Sequence, residues 1–502
     1  MQNPDFSTPI TDGKETGFDN IILLFILTNI NKTRGIIPMH SDKRIPLAEI
    51  EVARCPSVSV QDILKNDGDQ PPEMANEHYR FLGNEDIPFE RYTSRRFYEM
   101  EMENLWCKTW QWACREDHIP SPGDYYVYDI GRYSILVVRN QHGEVKGYIN
   151  SCLHRGTKLK PSGSEGTTAE LRCPFHGWSW DLDGSLQRLP CEWDFQYVEK
   201  NKCQLPQVSV GCWGGFVFIN LDPNAIPLSD YLEVLPEHAH NAGLEDRYVS
   251  VHVEKELPCN WKIASEAFLE SYHVLETHPQ MMPSNGDINS QYDVFGDHVN
   301  RVYVANGIKS PNITEEVTEQ QLFDAMLVGD GSGDGERMQV PPGMTARQVM
   351  ANHFRQIIKN EYGIDSSRLS TTEALDTIGY FVFPNGHFFL GLAFPIAYRV
   401  RPLGDDHNRS LFEVLVLRPT KPDEERPEPA VPLRLGVEDS YSLVEDLSAQ
   451  VADILDQDTN NMRYQHEGML TSRKGAASLA TYQEVRIRHI HQIIDKYLNL
   501  PS

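Results

Sequence analysis

Residues 172–180 read RCPFHGWSW. Cys173 and His176 stand three positions apart, closed by Gly177 and framed by aromatic rings, and form half of a metal site. The other half lies upstream in SCLHRG, residues 151–156, where Cys152 and His154 are separated by one residue. The full pattern is Cys-x-His, 18 intervening residues, then Cys-x-x-His. Each of two loops therefore offers one thiolate and one imidazole. Two cysteines and two histidines can bind zinc, although at other customary spacings. The pattern suits a 2Fe-2S cluster with two cysteines on one iron and two histidines on the other, an exchange that raises the potential. Gly156 and Gly177 follow the histidines, where tight loops need a residue without a Cβ.

Working outward, the helical pattern of Tyr92 to Cys114 leads into short alternating runs: YYVYDI, YSILVVRN, VKGYIN and GCWGGFVFINL. Pro and Gly turns separate them, which predicts a small antiparallel β domain ending near Leu221. Helical patterns begin near Leu228. From Leu375 strand signals return, with TIGYFVFP, Asn385-Gly386 and HFFLGLAFPIAYRV predicting a hairpin closed by a type I′ turn. SLFEVLVLRP supplies another strand, and the chain is helical from Ser440.

More than 250 residues follow the cluster domain, enough to hold chemistry that uses its electrons. In NWKIASEAFLESYHVLETHP, residues 260–279, His273 and His278 are five apart. On a continuous helix that is about 500° of rotation, so they would not share a face. Pro279 marks a stop, and the helix is expected to loosen after His273. Two histidines plus one carboxylate make the facial triad of non-haem iron oxygenases. Glu270 and Glu266 fall on the His273 side of the helix, placed to orient an imidazole.

Helical phase selects the carboxylate. In SLVEDLSAQVADILDQDTNNM, Val444, Leu447, Val451, Ile454, Leu455 and Met462 cluster within about 60° of one direction. Asp458 lies in the middle of that apolar stripe, whereas Glu445, Asp446, Asp453 and Asp456 point away. A carboxylate among apolar residues is costly unless it is paired or holds a metal.

With these residues in place the chain resembles the large (α) subunit of Rieske non-haem iron oxygenases, the aromatic-ring-hydroxylating dioxygenase family, over roughly residues 85–470. The resemblance rests on CLHRG…CPFHGW, on Asn260, Trp261, Lys262, Glu266, Glu270, Tyr272, His273 and His278, and on QDTNNM with Asp458. It implies an α+β fold. An antiparallel β Rieske domain would precede a catalytic domain whose curved antiparallel sheet wraps round helices, helix-grip and START-like. The implied divisions are an N-terminal arm at 1–85, the Rieske domain with its leading helix at 86–225, and the catalytic domain at 226–502. Cys152, His154, Cys173 and His176 would bind the cluster. His273, His278 and Asp458 would bind mononuclear Fe(II). In the family electrons cross between neighbouring subunits of a ring trimer through an acid beside the first iron histidine, the position of Glu270. Many ring dioxygenases carry Asp there, and Glu occurs in branches that include amine oxidisers.

The activity so implied is O₂-dependent hydroxylation of an aromatic or other apolar small molecule, with ring cis-dihydroxylation as the leading expectation. The alternatives are a Rieske O- or N-demethylase and a non-catalytic redox protein. No G-x-G-x-x-G opens a helix, so nicotinamide should bind a separate reductase, with or without a ferredoxin. A homotrimer is expected, with a β subunit left open. Arg155, Lys158, Lys160 and Arg172 flank the cluster loops and could steer an acidic donor.

The remaining features set limits. A net charge of -26 opposes a nucleic-acid partner. Nine scattered cysteines are not a disulfide framework and favour a reducing cytoplasm. The apolar run Ile21 to Ile30 is too short to span a bilayer and follows acidic residues, unlike a signal peptide. Residues 1–38 are read as an extension or a misplaced start, and 39–85 as a polar linker or arm. The polar, Gly-rich stretch 310–370 reads as a mobile surface loop. Its Asp330, Ser332, Asp334 and Gly335 imitate a calcium loop, but Pro341 stands where the bidentate Glu should be.

Overall fold

The computed structural model describes residues 53–327 and 338–500. The Ile21–Ile30 run and the Asp330–Gly335 stretch lie outside the described residues. Among the described residues no helix is long and apolar enough to cross a membrane.

The first unit is a seven-stranded antiparallel sheet. Its spatial order is Gln111–Arg115, Phe216–Asn220, Gln207–Trp213, Val145–Ile149, Tyr133–Arg139, Asp124–Ile130 and Glu165–Thr167. A smaller three-stranded sheet, Leu171–Arg172, Ser179–Trp180 and Leu186–Arg188, carries the second metal loop. Val127, Leu136, Val138, Tyr148, Trp178 and Trp180 pack between them. The leading helix is shorter than the sequence pattern suggests. It spans Arg95–Asn104, and Gln111–Arg115 is already a fully buried strand.

The second unit is an eight-stranded sheet. From Gln291–Val294 it passes through Val299–Val304, Thr377–Val382, Gly386–Phe389, Ile396–Pro402 and Ser410–Pro419 to Arg247–Leu257 and Leu433–Leu435. All pairs are antiparallel except the last. The strand Ser410–Pro419 shows why its sequence is almost continuously apolar. Phe412, Val414 and Val416 face the helices Ala449–Thr471 and Val485–Leu498, while Leu415 and Leu417 face a second core with Trp112, Phe218 and Tyr231. With both faces covered, the period of two no longer alternates apolar with polar.

The hairpin differs in its turn. Val382 pairs with Gly386, so three residues, Phe383 to Asn385, close it, with a cis Phe383–Pro384 bond, rather than a two-residue Asn385-Gly386 turn. Asn385 is used elsewhere. Its side chain accepts from the Trp112 backbone N–H at 3.1 Å and donates to the Trp112 carbonyl at 3.2 Å, binding the two units together. The run HFFLGLAFPIAYRV also splits, into Gly386–Phe389 and Ile396–Pro402, which pair with each other.

Two segments expected to be loose are packed where they are described. The arm forms a helix, Val60–Asp67, and Arg347 holds Asp67 at 2.7 Å and Asp376 at 2.7 Å. Asp69 accepts from the Thr371 N–H, and Gln61 donates to Gln291. The 310–370 region is helical at Glu319–Leu327 and Ala346–Tyr362, around a core of Phe323, Met326, Met350, Phe354, Ile358 and Leu375. Thr345 and Gln348 form a capping box at the start of the longer helix. Gly363, at φ 69°, ends it in the left-handed conformation. The polar composition hid a helical period of 4 at Met350, Phe354 and Ile358.

Candidate metal centres

The two cysteine–histidine loops are built alike. In one, the Cys152 N–H donates to the Thr157 carbonyl at 2.9 Å and the Gly156 N–H donates to the Cys152 carbonyl at 2.9 Å. In the other, Cys173 and Trp178 repeat the first bond at 2.8 Å, and Gly177 and Cys173 the second at 3.1 Å. Gly156 and Gly177 sit at φ 77° and 75°, so the loops close in a conformation that favours glycine. The pair of loops brings the His154 and His176 ring centroids to 4.6 Å. Trp178 stacks on His154 at 5.2 Å with an interplanar angle of 4°. Cys152 and Cys173 are buried, whereas His176 is exposed.

The donor set fits a two-iron cluster. His154 Nδ1 is buried without a hydrogen-bond partner, the state of an imidazole nitrogen kept for a metal. The compact sets of ligand atoms found among the described residues, all within 4.8 Å of one another, are His273–His278–Asp458 and His252–Glu254–Glu413. The four cluster residues form no such compact set, as ligands spread over two irons require and a single tetrahedral zinc does not.

The candidate iron site comes from a broken helix. Asn260 caps Trp261–Glu266, accepting from the Lys262 N–H at 3.0 Å. The helix stops there, earlier than the expected loosening after His273. The freed groups are satisfied: the Ser271 N–H donates to the Tyr292 hydroxyl at 3.1 Å, and Arg486 donates to the Leu269 carbonyl at 3.1 Å. Burial pushes the Arg486 guanidinium down to about 9. A single turn, Val274–Thr277, then separates His273 from His278. The third contribution is Asp458, buried on the helix Ala449–Thr471 together with Val451, Leu455 and Met462. That helix begins at Ala449 rather than near Ser440, so Val444 and Leu447 are buried from a preceding turn and not from the helix. Asp456 is half-buried rather than solvated, accepting from the Ser440 hydroxyl and the Tyr441 N–H.

Asp458 Oδ1 lies 2.8 Å from His278 Nε2 and 3.6 Å from His273 Nε2. The opposite ring nitrogens are occupied. His273 Nδ1 pairs with Glu270 Oε1 at 2.7 Å, and Glu270 Oε2 also accepts the His273 backbone N–H at 3.0 Å. His278 Nδ1 pairs with Gln457 Oε1 at 2.7 Å, and Gln280 donates to the same oxygen at 2.9 Å. Fixing both Nδ1 atoms as donors directs both Nε2 atoms at Asp458, the arrangement a metal needs. Burial opposes a charge on His273, but the Glu270 and Asp458 carboxylates outweigh it and lift the imidazole to about 9.

Glu270 therefore makes the contact that would orient His273, although from the non-helical link. Glu266 does not orient an iron ligand. It accepts from the Tyr92 hydroxyl at 3.1 Å and lies 3.0 Å from His491 Nε2, in a closed polar cluster behind the site. Gln457 and Gln280 were not singled out from sequence. Adjacency to Asp458 was the only sign of Gln457. The basic rim is also reduced: Lys158 pairs with Asp129, Arg172 pairs with Glu170, and Lys160 lies over the Tyr125 ring. Arg155 stacks on the exposed Phe175 ring at 5.4 Å.

A cavity of about 160 Å³ opens on the iron residues, lined by Phe268, Phe389, Phe394, Tyr398, Val302 and Ile454 among others. Its rings are set on edge, Phe389 against Phe394 at 88° and against Tyr398 at 70°.

A fold with a Rieske-type loop pair and a histidine–histidine–aspartate site beneath a curved sheet defines a class of two-centre iron proteins. Residues 109–200 match the Rieske [2Fe-2S] domain, and residues 244–500 match the catalytic domain of the ring-hydroxylating alpha subunit. The chain belongs to the ring-hydroxylating alpha-subunit family, with the 2Fe-2S and mononuclear iron centres of that family as its cofactors. It is 32% identical over 198 residues to the glycine betaine monooxygenase oxygenase subunit of Pseudomonas aeruginosa, covering 39% of this chain and 45% of that protein. It is 33% identical over 202 residues to the carnitine monooxygenase oxygenase subunit of Escherichia coli, covering 38% and 52%. It is 31% identical over 188 residues to the benzene 1,2-dioxygenase subunit alpha of Pseudomonas putida, covering 36% and 42%. The matched part thus spans about half the length of these curated relatives. In structure it is similar to the quaternary ammonium Rieske monooxygenase CntA in complex with L-carnitine, with a TM-score of 0.57 at 18% identity, covering 84% of this chain and 99% of that one. Naphthalene 1,2-dioxygenase with indole bound gives 0.57 at 16% identity, covering 84% and 93%. These likenesses establish the fold.

Proposed function

We propose that this chain is the oxygenase component of a Rieske monooxygenase system of the N- or O-dealkylating type. The observation that carries it is the clamp of Glu270 on His273 beside Asp458 and His278. A glutamate at this position fits amine-oxidising branches better than ring dioxygenases, and two of the named relatives are the oxygenase subunits of glycine betaine and carnitine monooxygenases. This reading replaces ring cis-dihydroxylation as the leading one.

When bound, the cluster supplies single electrons and the ferrous centre supplies O₂ activation. His273, His278 and Asp458 would hold that centre, and Cys152, His154, Cys173 and His176 the cluster. Glu270 and Gln457 keep both imidazoles in the ligating tautomer. The apolar cavity walls hold the substrate carbon against the site and keep bulk water out. The reaction consumes a methyl group on nitrogen or oxygen, one O₂, two electrons and two protons. One oxygen atom enters the C–H bond, the other leaves as water, and the hydroxymethyl product releases formaldehyde. The electrons would come from a NAD(P)H-linked reductase, directly or through a ferredoxin. The exposure of His176, with Leu153 and Phe175 beside it, supports a neighbouring copy seated there, as in a homotrimer with Glu270 as the bridge.

Ring cis-dihydroxylation is the second reading, favoured by the aromatic lining of the cavity. The test is turnover of methoxy- and N-methyl-substituted aromatics with a surrogate reductase under labelled O₂. Formaldehyde formed in step with NAD(P)H and O₂ consumption is expected. A diol carrying two labelled oxygens would overturn the proposal in favour of the second reading.

A further inference from the structure

The cavity contains aromatic and aliphatic walls, yet its lining includes no Lys or Arg, and its carboxylates are Glu270 and Asp458. Most of its polar groups are already spent on the protein. Asn285 donates to Asn306 at 2.7 Å, and Asn306 donates to the Leu375 carbonyl at 3.1 Å and the Thr377 hydroxyl at 3.3 Å. Ser271 bonds Ser290 at 2.7 Å and Tyr292 at 3.0 Å. Gln450 is different. Its Oε1 is buried without a partner, although the residue lines the cavity. A buried amide left unpaired is destabilising unless something completes it.

Gln450 stands eight residues before Asp458 on the same helix, with Ile454 between them, and all three line the cavity. At 1.5 Å per residue that is about 12 Å along the axis, with the two side chains about 80° apart around the helix. Apart from the iron residues, Gln450 thus offers the cavity an unpaired polar atom, with Phe268, Phe389, Phe394 and Ile454 among the apolar walls.

We propose that Gln450 is a specificity-determining residue that hydrogen-bonds an uncharged polar substituent at the end of the substrate remote from the reacting carbon. The substrate class is then a neutral, largely apolar methoxy or N-methyl compound bearing one hydroxyl or similar group. A carboxylate-bearing substrate such as a betaine is excluded on physical grounds. Its anion would be buried against an amide, and among the described residues the cavity lining includes no Lys or Arg to pair with it. This inference rests on the proposed oxygenase function for its reacting end, but its test reads binding and so fails separately from turnover.

The experiment uses the full-length holoprotein, anaerobic and without reductase, in calorimetric titrations with three probes: 4-methoxybenzyl alcohol, 4-methylanisole and 4-methoxybenzoate. The alcohol is expected to bind about five- to tenfold more tightly than 4-methylanisole, one hydrogen bond's worth. The benzoate is expected to bind more weakly than both. In Gln450→Met, which keeps the length of the side chain, the alcohol's advantage should vanish, and Gln450→Asn provides a second variant that retains an amide but shortens its reach. Unfolding temperature checks that both variants fold. An advantage that survives in Gln450→Met, equal affinities in the wild type, no measurable binding of the alcohol, or tightest binding by the benzoate would each overturn the proposal. Formaldehyde release from the same compounds is scored separately and bears on the dealkylation reading alone.

Discussion

Replacing Glu270 by Gln isolates the charge of the carboxylate while keeping its size. In the wild type one oxygen accepts the His273 ring N–H at 2.7 Å and the other the backbone N–H at 3.0 Å. A charge-assisted bond is worth about 1.5–3 kcal/mol and a neutral one about 0.5–1.5. The amide can keep one acceptor, so the loss is about 1–2 kcal/mol of support for the ligating tautomer. Iron affinity should then fall about five- to thirtyfold, overlapping the roughly 10–100-fold range typical for partners of ligating histidines. Competition against a chelator of known affinity measures this. If Glu270 also carries electrons between copies, cluster oxidation in a single turnover should slow at least about tenfold per bound iron, even at saturating iron. Stopped-flow absorbance at the cluster band reads that rate. Iron affinity within about twofold of wild type would refute the orienting role. A weakened iron site with an unchanged rate per iron would refute the electron bridge while leaving the orienting role intact.

Two further outcomes are expected. Asp458→Ala should retain about two irons and two sulfides per chain, against about three irons in the wild type, because the cluster ligands lie in a separate unit; metal and sulfide analysis on anaerobically purified protein checks it, and loss of both centres would contradict it. Glu266 is pushed up to about 8 by burial, above its ordinary value near 4.5. The folded state therefore holds this proton more tightly than the unfolded chain, and the stability it contributes at acid pH is lost as pH rises from about 5 through 8. Urea unfolding across that window should show this downward slope in the wild type and a shallower one in Glu266→Gln.

The residues proposed as cluster ligands were legible because they sit in short loops where spacing, glycine and aromatic neighbours are local properties of the chain. Asp458 was legible for a related reason: helical phase set it among Val451, Leu455 and Met462, and local periodicity does not depend on what the helix meets. The hairpin turn and the 310–370 region depart from the sequence expectation because composition does not fix conformation. Asn385 is spent on Trp112 of the other unit, and the Met350–Phe354–Ile358 face becomes a core only when Phe323 and Leu375 are brought to it.

What sequence alone supplied, then, is the set of residues proposed for the two metal centres and their order along the chain. What only the tertiary structure decided is how those residues converge. His278 meets Gln457 and Asp458 across some 180 positions of chain, and the break after Glu266 depends on Tyr292 and Arg486 from distant elements. Gln450 could be distinguished from any other helix-start glutamine only once the sheet had closed over it. The physical reason is that ligand type and periodicity are written in neighbouring residues, whereas the satisfaction of buried polar groups is a property of everything that packs around them.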